Sequence, residues 1–366
     1  MNIAAEEIVC ALKHVNHPAA GKSIVELNMV SDISINGLNI ALVLTFSKPL
    51  DPMKNTIVKA CEKALRCYVH PDIESHIEVK TKQSSVAGSS PKKTGLSAKN
   101  IIAVASGKGG VGKSTVAVNI AVALSKMGYK VGLLDADIYG PSIPKMLGVE
   151  NVQPSVIKNE GGEVIIPVEQ YGIRMLSIGF FVSSESALIW RGAMATNALK
   201  QLLYQGEWGE PEYLIIDLPP GTGDIHLTIV QELPVTGAII VSTPQEVALA
   251  DAIRGIKMFQ YEKVNVPVLG LVENMAWFTP EELPDNRYYI FGNGGCKALA
   301  EREGICLLGQ IPIVHGICES GDKGQPVAEN EQSITGKAFM ELAQNIVEAL
   351  NKRKVKLPPT KKVEIK

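Results

Sequence analysis

Residues 106–115, SGKGGVGKST, carry the most explicit chemistry in the chain. Gly107, Gly112, Lys113 and Ser114 satisfy the spacing G-x-x-x-x-G-K-[ST], which is that of a phosphate-binding loop. Gly107, Gly109, Gly110 and Gly112, with Val111 among them, let backbone N–H groups curl around phosphate oxygens, and a helix starting at Lys113 adds positive partial charge. Lys113 is placed to reach the β- and γ-phosphates of a nucleoside triphosphate, and the Ser114 hydroxyl to bind Mg²⁺, with Thr115 closing the loop. Lys108 is one lysine more than such a loop needs. Read within one chain, it is as easily a solvent-facing lysine as a ligand-facing one.

Three carboxylates and an amide stand where strands should end. Asp217 closes YLIIDLP after Leu214, Ile215 and Ile216, and suits a metal-holding role, directly or through water. The alternative for it is a helix cap. The PPGTGD that follows (219–224) is glycine-rich and free to move when a γ-phosphate is present. In LLDADIYGPS (133–142), Asp135 and Asp137 are two residues apart, so both point the same way beyond a strand end. Asp135 can support the magnesium shell, leaving Asp137 to orient or deprotonate an attacking water; either can instead cap a helix. Asn274, after LGLVE, offers a donor and an acceptor for a purine edge, or simply forms a turn.

These residues need a scaffold, and the hydrophobic pattern supplies one. Apolar runs at 101–106, 130–136, 213–219, 237–243 and 267–274 read as buried strands. Helical stretches fall between and after them, at 113–127 (with Val116, Ile120, Leu124 and Met127 on one stripe), 194–205, 247–261, 295–303 and 336–350. Strands alternating with helices predict an α/β fold, a mostly parallel sheet with helices on both faces, binding its ligand at the carboxyl ends of the strands. Residues 1–81 read as a small α+β domain, with strand formers at 38–46 and a helix over 53–69 burying Ile57, Cys61, Ala64 and Leu65. Serine, glycine and lysine dominate 82–99, a flexible linker. The main domain is expected over 100–350, and 351–366 as a basic, solvated, disordered tail.

With 46% apolar and 20% charged residues the chain can bury a substantial core, and a formal charge of −2 gives no global bias toward nucleic acid or membrane. No apolar run reaches the ~18 residues of a membrane span. The opening MNIAAEEIVC lacks a secretory layout, so a cytoplasmic protein is expected. Cys10, Cys61, Cys67, Cys296, Cys306 and Cys318 are scattered without a C-x-x-C pair, the pattern of reduced and mostly buried thiols.

Taken in order, GKGGVGKST, DADIYGPSIP, IIDLPPGTGD and ENM resemble the deviant Walker A ATPases, relatives of ParA and MinD. DIYGPSIP, WRGAM (190–194) and DLPPGTGD narrow the resemblance to the Mrp/ApbC family of iron–sulfur cluster carrier ATPases over about 100–350. Residues 1–80, with NHPAAGKSIVELNMVSDISING, are similar to the metal–sulfur assembly domain often fused before that ATPase. The resemblance implies a P-loop NTPase fold, ATP and Mg²⁺ as cofactors, and ATP hydrolysis by a homodimer in which Lys108 reaches the nucleotide of the other subunit. It puts Asp137 at the water-activating position and Asn274 at the adenine-reading one. It further implies a [4Fe–4S] cluster, often bridged between subunits, passed to apo iron–sulfur acceptor proteins.

The chain departs from that pattern in two places. Relatives usually carry a C-x-x-C pair soon after the NM step, whereas ENMAWFTPEELPDNRYYIFG has no cysteine and only Cys296 lies nearby. One cysteine per subunit leaves a four-thiolate bridged site two ligands short. Relatives also often have a cysteine before a proline where this chain has PLDP (49–52). A nucleotide-switched scaffold without its own cluster therefore stands as the alternative to a carrier. A positional ATPase on membrane or DNA is a weaker third, because the tail forms no amphipathic helix and no other basic patch is visible.

Overall fold

Aliphatic and β-branched runs set the framework of both parts of the chain. The computed structural model describes residues 5–15, 22–27, 29–46, 54–81, 96–138, 140–159, 162–181, 193–280, 282–283 and 285–363. PLDP, the first three residues of WRGAM, and 82–95 of the expected linker lie outside them. The chain divides into two compact units, Met1–Ser89 and Ser90–Lys366.

In the first unit, α1 (Ala5–Leu12), β1 (Val30–Asn36), β2 (Asn39–Phe46), α2 (Lys54–Tyr68) and β3 (Glu74–Thr81) follow one another. β1 pairs antiparallel with β2, and β2 pairs parallel with β3 across the α2 crossover. Alternation along β2 buries Ile40, Leu42 and Leu44 against Ile57, Cys61, Ala64 and Leu65 of α2 and Ile8 and Leu12 of α1. Burial pushes the Cys61 thiol up to about 12, so it packs as a small apolar group.

The second unit begins with β4 (Asn100–Ser106), α3 (Lys113–Lys126) and β5 (Val131–Asp135). Four short strands follow: β6 (Val156–Asn159), β7 (Gly162–Ile165), β8 (Val168–Gln170) and β9 (Ile173–Ser177). Next come α4 (Ala193–Gln205), β10 (Tyr213–Asp217), α5 (Asp224–Glu232), β11 (Gly237–Ser242) and α6 (Glu246–Gln260). The unit closes with β12 (Val268–Phe278), α7 (Gly295–Glu303), β13 (Cys306–Ile313), α8 (His315–Asp322) and α9 (Ile334–Lys356). Eight strands form one sheet in the order β13-β12-β11-β4-β10-β5-β9-β8, parallel except where β8 meets β9. One face is covered by α4, α5, α6 and α7 through residues such as Leu199, Ile229, Phe259 and Leu299, the other by α3 and α9 through Ile120, Leu124, Phe339 and Ile346. The chain is thus an α/β protein with helices on both faces of a mostly parallel sheet.

Three details differ from the sequence pattern. α3 is buried along the whole of Val116–Leu124 rather than on one stripe, because the sheet lies beneath it and α9, packed on β13, flanks it. β8 and β9 extend the sheet beyond β5, and their short pieces carry too little periodicity to be read in advance. Both flanks of the main domain also reach further than expected. Leu96 and Ala98 pack on the core and the Lys99 amide donates to the Pro211 carbonyl (3.1 Å), so the last residues of the expected linker belong to this unit. The basic tail is not solvated throughout: α9 runs to Lys356, and the Val363 amide donates to the Val230 carbonyl at 3.1 Å. Among the described residues no helix is long and apolar enough to cross a membrane.

β4 lies between β10 and β11, and β4 and β11 are followed by helices on opposite faces, α3 and α6, so a crevice opens at their carboxyl ends. Gly107 starts the turn there, where an added Cβ would lie 2.1 Å from the Asp251 carbonyl carbon in α6. Gly107→Ala is expected to cost about 1–3 kcal/mol, the usual penalty for overpacking a tight backbone contact. Urea unfolding of the variant against the parent chain measures it.

Candidate phosphate-binding site

Beyond Ser106 the chain turns through 107–112 into α3. Gly110 and Gly112 sit in the left-handed region (φ 83° and 79°), and a Cβ on Gly112 would lie 2.2 Å from the Asn274 amide nitrogen. That amide donates to the Val111 carbonyl at 2.8 Å, so β12 braces the loop from behind. Asn274 is buried, and beyond that bond it keeps its amide oxygen and a second N–H. No side chain caps α3, which leaves the amides of its first turn for an anion. In front of the loop lies a cavity of about 190 Å³ lined by Lys108, Lys113, Ser114, Asp137, Met146 and Pro220.

Parallel register sets the carboxylates. β10 pairs with both β4 and β5, which puts Asp217 level with Asp135 at the carboxyl edge of the sheet. Lys113 is buried among them: its ammonium is 2.8 Å from Asp217 Oδ1 and 3.7 Å from Asp137 Oδ2, and donates to Ser114 Oγ at 3.2 Å. The Ser114 hydroxyl donates in turn to Asp217 Oδ2 at 2.6 Å. Burial raises both Asp135 and Asp217 above the ordinary carboxylate range; the Asp217 charge raises Asp135 further, while Lys113 pulls Asp217 back. Asp137 lines the cavity, and its Oδ1 is buried without a hydrogen-bond partner.

The donor set fits a hard cation held together with phosphate. Mg²⁺ bound with a nucleotide needs only one or two protein oxygens, and Ser114 and Asp217 already converge. Three buried carboxylates around one ammonium also leave negative charge that a divalent ion would neutralise. Lys108 lines the same cavity, half-exposed. Its carbonyl accepts from Ser106 Oγ at 2.9 Å, and no carboxylate lies within 4 Å of its ammonium among the described residues.

Two residues of this neighbourhood carry no motif. Ser177, fully buried at the end of β9, donates to Asp135 Oδ2 at 2.8 Å and accepts from the Gly179 amide at 2.9 Å. The opposite oxygen of Asp135 accepts from the Asp137 amide at 3.2 Å, so both aspartates hang from one hydrogen-bonded chain. His226, in the first turn of α5, is buried beside the Pro219 and Gly223 carbonyls with both ring nitrogens lacking a hydrogen-bond partner. Burial, aided by the Lys113 charge, pushes it down to about 4. Neither carries a sequence signal: Ser177 ends a strand too short to be read in advance, and His226 lies inside α5, beyond the PPGTGD loop.

Cys296 is placed as a structural thiol. It is fully buried at the start of α7, its amide donates to Glu273 Oε2 at 2.9 Å, and its thiol points to the Thr243 carbonyl at 3.7 Å. Burial and the Glu273 charge push the thiol up, which keeps it protonated. Among the described residues no group of three or more His, Cys, Asp or Glu side chains is arranged to hold a metal ion.

Comparison with known proteins agrees with this geometry. A family described as NUBPL iron-transfer P-loop NTPase matches residues 97–347, and a second, iron–sulfur cluster assembly protein, matches residues 5–76. The chain is 46% identical over 347 residues to the iron–sulfur cluster carrier protein of Synechocystis, across 94% of this chain and 97% of that one. It is 47% identical over 270 residues to the Arabidopsis iron–sulfur protein required for NADH dehydrogenase, covering 73% and 83%. Among solved structures it resembles an Archaeoglobus fulgidus nucleotide-binding protein in complex with ADP, 39% identical with a TM-score of 0.56, over 66% of this chain and 93% of that one.

Two expectations follow from the geometry. Ser177→Ala leaves a buried carboxylate oxygen without its donor and should cost about 1–3 kcal/mol of stability, seen as an earlier urea midpoint, with Ser177→Thr closer to the parent. His226 has a folded-state value near 4 against an ordinary 6.5, so the unfolded chain binds the extra proton. Stability should therefore fall as pH drops from 6.5 toward 4, by up to roughly 3 kcal/mol at ~1.4 kcal/mol per unit. His226→Gln should remove that part of the acid sensitivity in unfolding measured across the same range.

Proposed function

The chain belongs to the NUBPL iron-transfer P-loop NTPase family, and we propose that it is an ATP-dependent carrier that delivers iron–sulfur clusters to apo-proteins. The observation behind the ATPase half is the cluster of Lys113, Ser114, Asp217 and Asp137 around one cavity at the start of α3. Support for the cargo comes from relatives named as carriers over nearly the whole chain, and from the assembly-protein match to the first unit.

Each residue's part in hydrolysis follows from its chemistry. Loop amides and the first turn of α3 hold the α- and β-phosphates. Lys113 exchanges Asp217 for the β- and γ-phosphates, which frees Asp217 and Ser114 for Mg²⁺. When bound, Mg²⁺ supplies charge neutralisation at the β- and γ-oxygens. Asp137 orients the attacking water and accepts its proton, with Asp135 and Ser177 holding its backbone in place. Asn274, with an acceptor oxygen and a remaining N–H donor, pairs with the adenine edge. Lys108 acts across a homodimer on the γ-phosphate held by the second copy, as an arginine finger does in trans. The described cysteines are all free thiols, which suits a reducing compartment such as the cytoplasm.

One observation favours a second reading, a nucleotide-switched scaffold that holds acceptor proteins without a cluster of its own. Cys296, the nearest cysteine to the usual ligand position, is buried and donates to a carbonyl. Anaerobic reconstitution with iron and sulfide decides between the two. A carrier develops broad visible absorption and passes iron and sulfide to an apo-acceptor. A scaffold takes up no iron, yet captures the acceptor according to nucleotide state.

Lys108→Ala should bind ATP within about threefold of the parent while phosphate release falls by about 10³, the lower end for a charge supplied in trans. Phosphate release per chain should also rise with protein concentration in the parent. Unchanged turnover in the variant would refute the role given to Lys108.

A further inference from the structure

The carboxyl-terminal segment lies beyond the residues matched to the NTPase family, yet it docks on α4 and on α5, a helix whose other end follows the loop at the phosphate cavity. After α9 ends, the Arg353 guanidinium donates to the Pro358 carbonyl at 2.8 Å and to Thr360 Oγ1 at 2.7 Å, which turns the chain back. Lys362 then sits over the Tyr204 ring of α4, 5.7 Å from its centroid, and donates to the Tyr204 hydroxyl at 3.4 Å. Val363 packs against the core on that face, and its amide donates to the Val230 carbonyl in α5.

What these contacts hold is the end of α5. The last carbonyls of a helix have no partner within it. Here Val363 supplies a donor to the Val230 carbonyl, and the Tyr204 hydroxyl donates its one hydrogen to Glu232 Oε2 at 2.5 Å while lying 3.2 Å from the Glu232 carbonyl. Lys200, 2.7 Å from Glu232 Oε1, and Lys362 put positive charge where the helix dipole is negative. The other end of α5, about 13 Å away for nine residues, starts directly on the 218–223 loop. Pro220 of that loop lines the phosphate cavity, and the Gly221 amide donates to the Ser106 carbonyl at 2.9 Å. Buried His226, with neither ring nitrogen hydrogen-bonded, lies at this same end. One short helix is therefore gripped at one end by the tail and at the other by the loop that faces the nucleotide.

We propose that residues 357–363 are a strap that holds α5, and through it the 218–223 loop, in the position seen here, and that nucleotide binding and strap docking oppose one another. In this position Lys113 is engaged by Asp217 and Ser114, the partners it must leave to meet phosphate. A strap that favours this arrangement lowers nucleotide affinity, and by linkage nucleotide loosens the strap. The coupling rests on the nucleotide reading above; the anchoring of α5 does not.

The test compares the full chain with one ending at Lys356, and with Tyr204→Phe and Val363→Pro, which remove one hydroxyl and one backbone donor respectively. Without nucleotide, hydrogen exchange of the 224–233 amides should quicken at least about fivefold in the truncated chain, with smaller rises in the point variants. With Mg²⁺ and a non-hydrolysable ATP analogue, the truncated chain should bind about fivefold tighter, at the low end of usual couplings. Trypsin cleavage at Lys361 and Lys362 in the full chain should also speed up on adding the analogue. Unchanged exchange overturns the strap. Faster exchange with equal affinity overturns its coupling to nucleotide. A full chain that binds no analogue overturns the nucleotide reading together with the coupling, and the exchange measurement tells that result apart from failure of the strap itself.

Discussion

Everything at the carboxyl edge of the sheet is organised around the buried contact between Lys113 and Asp217. An ammonium and a carboxylate taken out of water are each costly, and only close pairing and extra hydrogen bonds offset that cost. The pair has both: a 2.8 Å separation and a donor from Ser114 on the second carboxylate oxygen. Leaving either partner alone would cost about 3–5 kcal/mol, so the ligand-free site is held closed on itself. A triphosphate with Mg²⁺ can open it because it offers each member a replacement, phosphate oxygen for the lysine and a cation for the aspartate. The pair is thus a gate for a ligand that brings both charges together, and inorganic anions alone do not meet that condition.

Much of this was legible in the sequence, because the chemistry lies in short contiguous stretches. The loop, Asp135, Asp137 and Asp217 each sit within a few residues of a buried strand end, and a parallel sheet gathers such ends on one edge. Ser177 and His226 were not legible, since what makes them matter is a neighbour across the fold: Asp135 is 42 residues from Ser177 along the chain. The tail shows the same limit from the other side. Its lysines and prolines describe a solvated segment, and only the carbonyls left open at the end of α5 explain why it docks. Asn274 lies between the two cases. Its position on a late strand was visible, but its hold on Val111 depends on the left-handed Gly112 having no Cβ.

Cysteine placement bears on the cargo in the same physical terms. A cluster ligand has to be a thiolate with an open approach, and a low-dielectric pocket beside a carboxylate favours the opposite state. Cys296 is in such a pocket, where Glu273 ties the start of α7 to β12 through the Cys296 amide and also accepts from Gln310 at 2.6 Å. These contacts make the residue part of the wall behind Asn274. Because Glu273 and Asn274 are adjacent on β12, that wall also fixes the strand that braces the phosphate loop. The described thiols that stay exposed, Cys10, Cys67 and Cys306, lie elsewhere. Cys10 and Cys67 are in the first unit, the part matched to an assembly protein. A cargo role for this chain therefore has to draw on surfaces other than this wall, which instead braces the phosphate loop through Asn274.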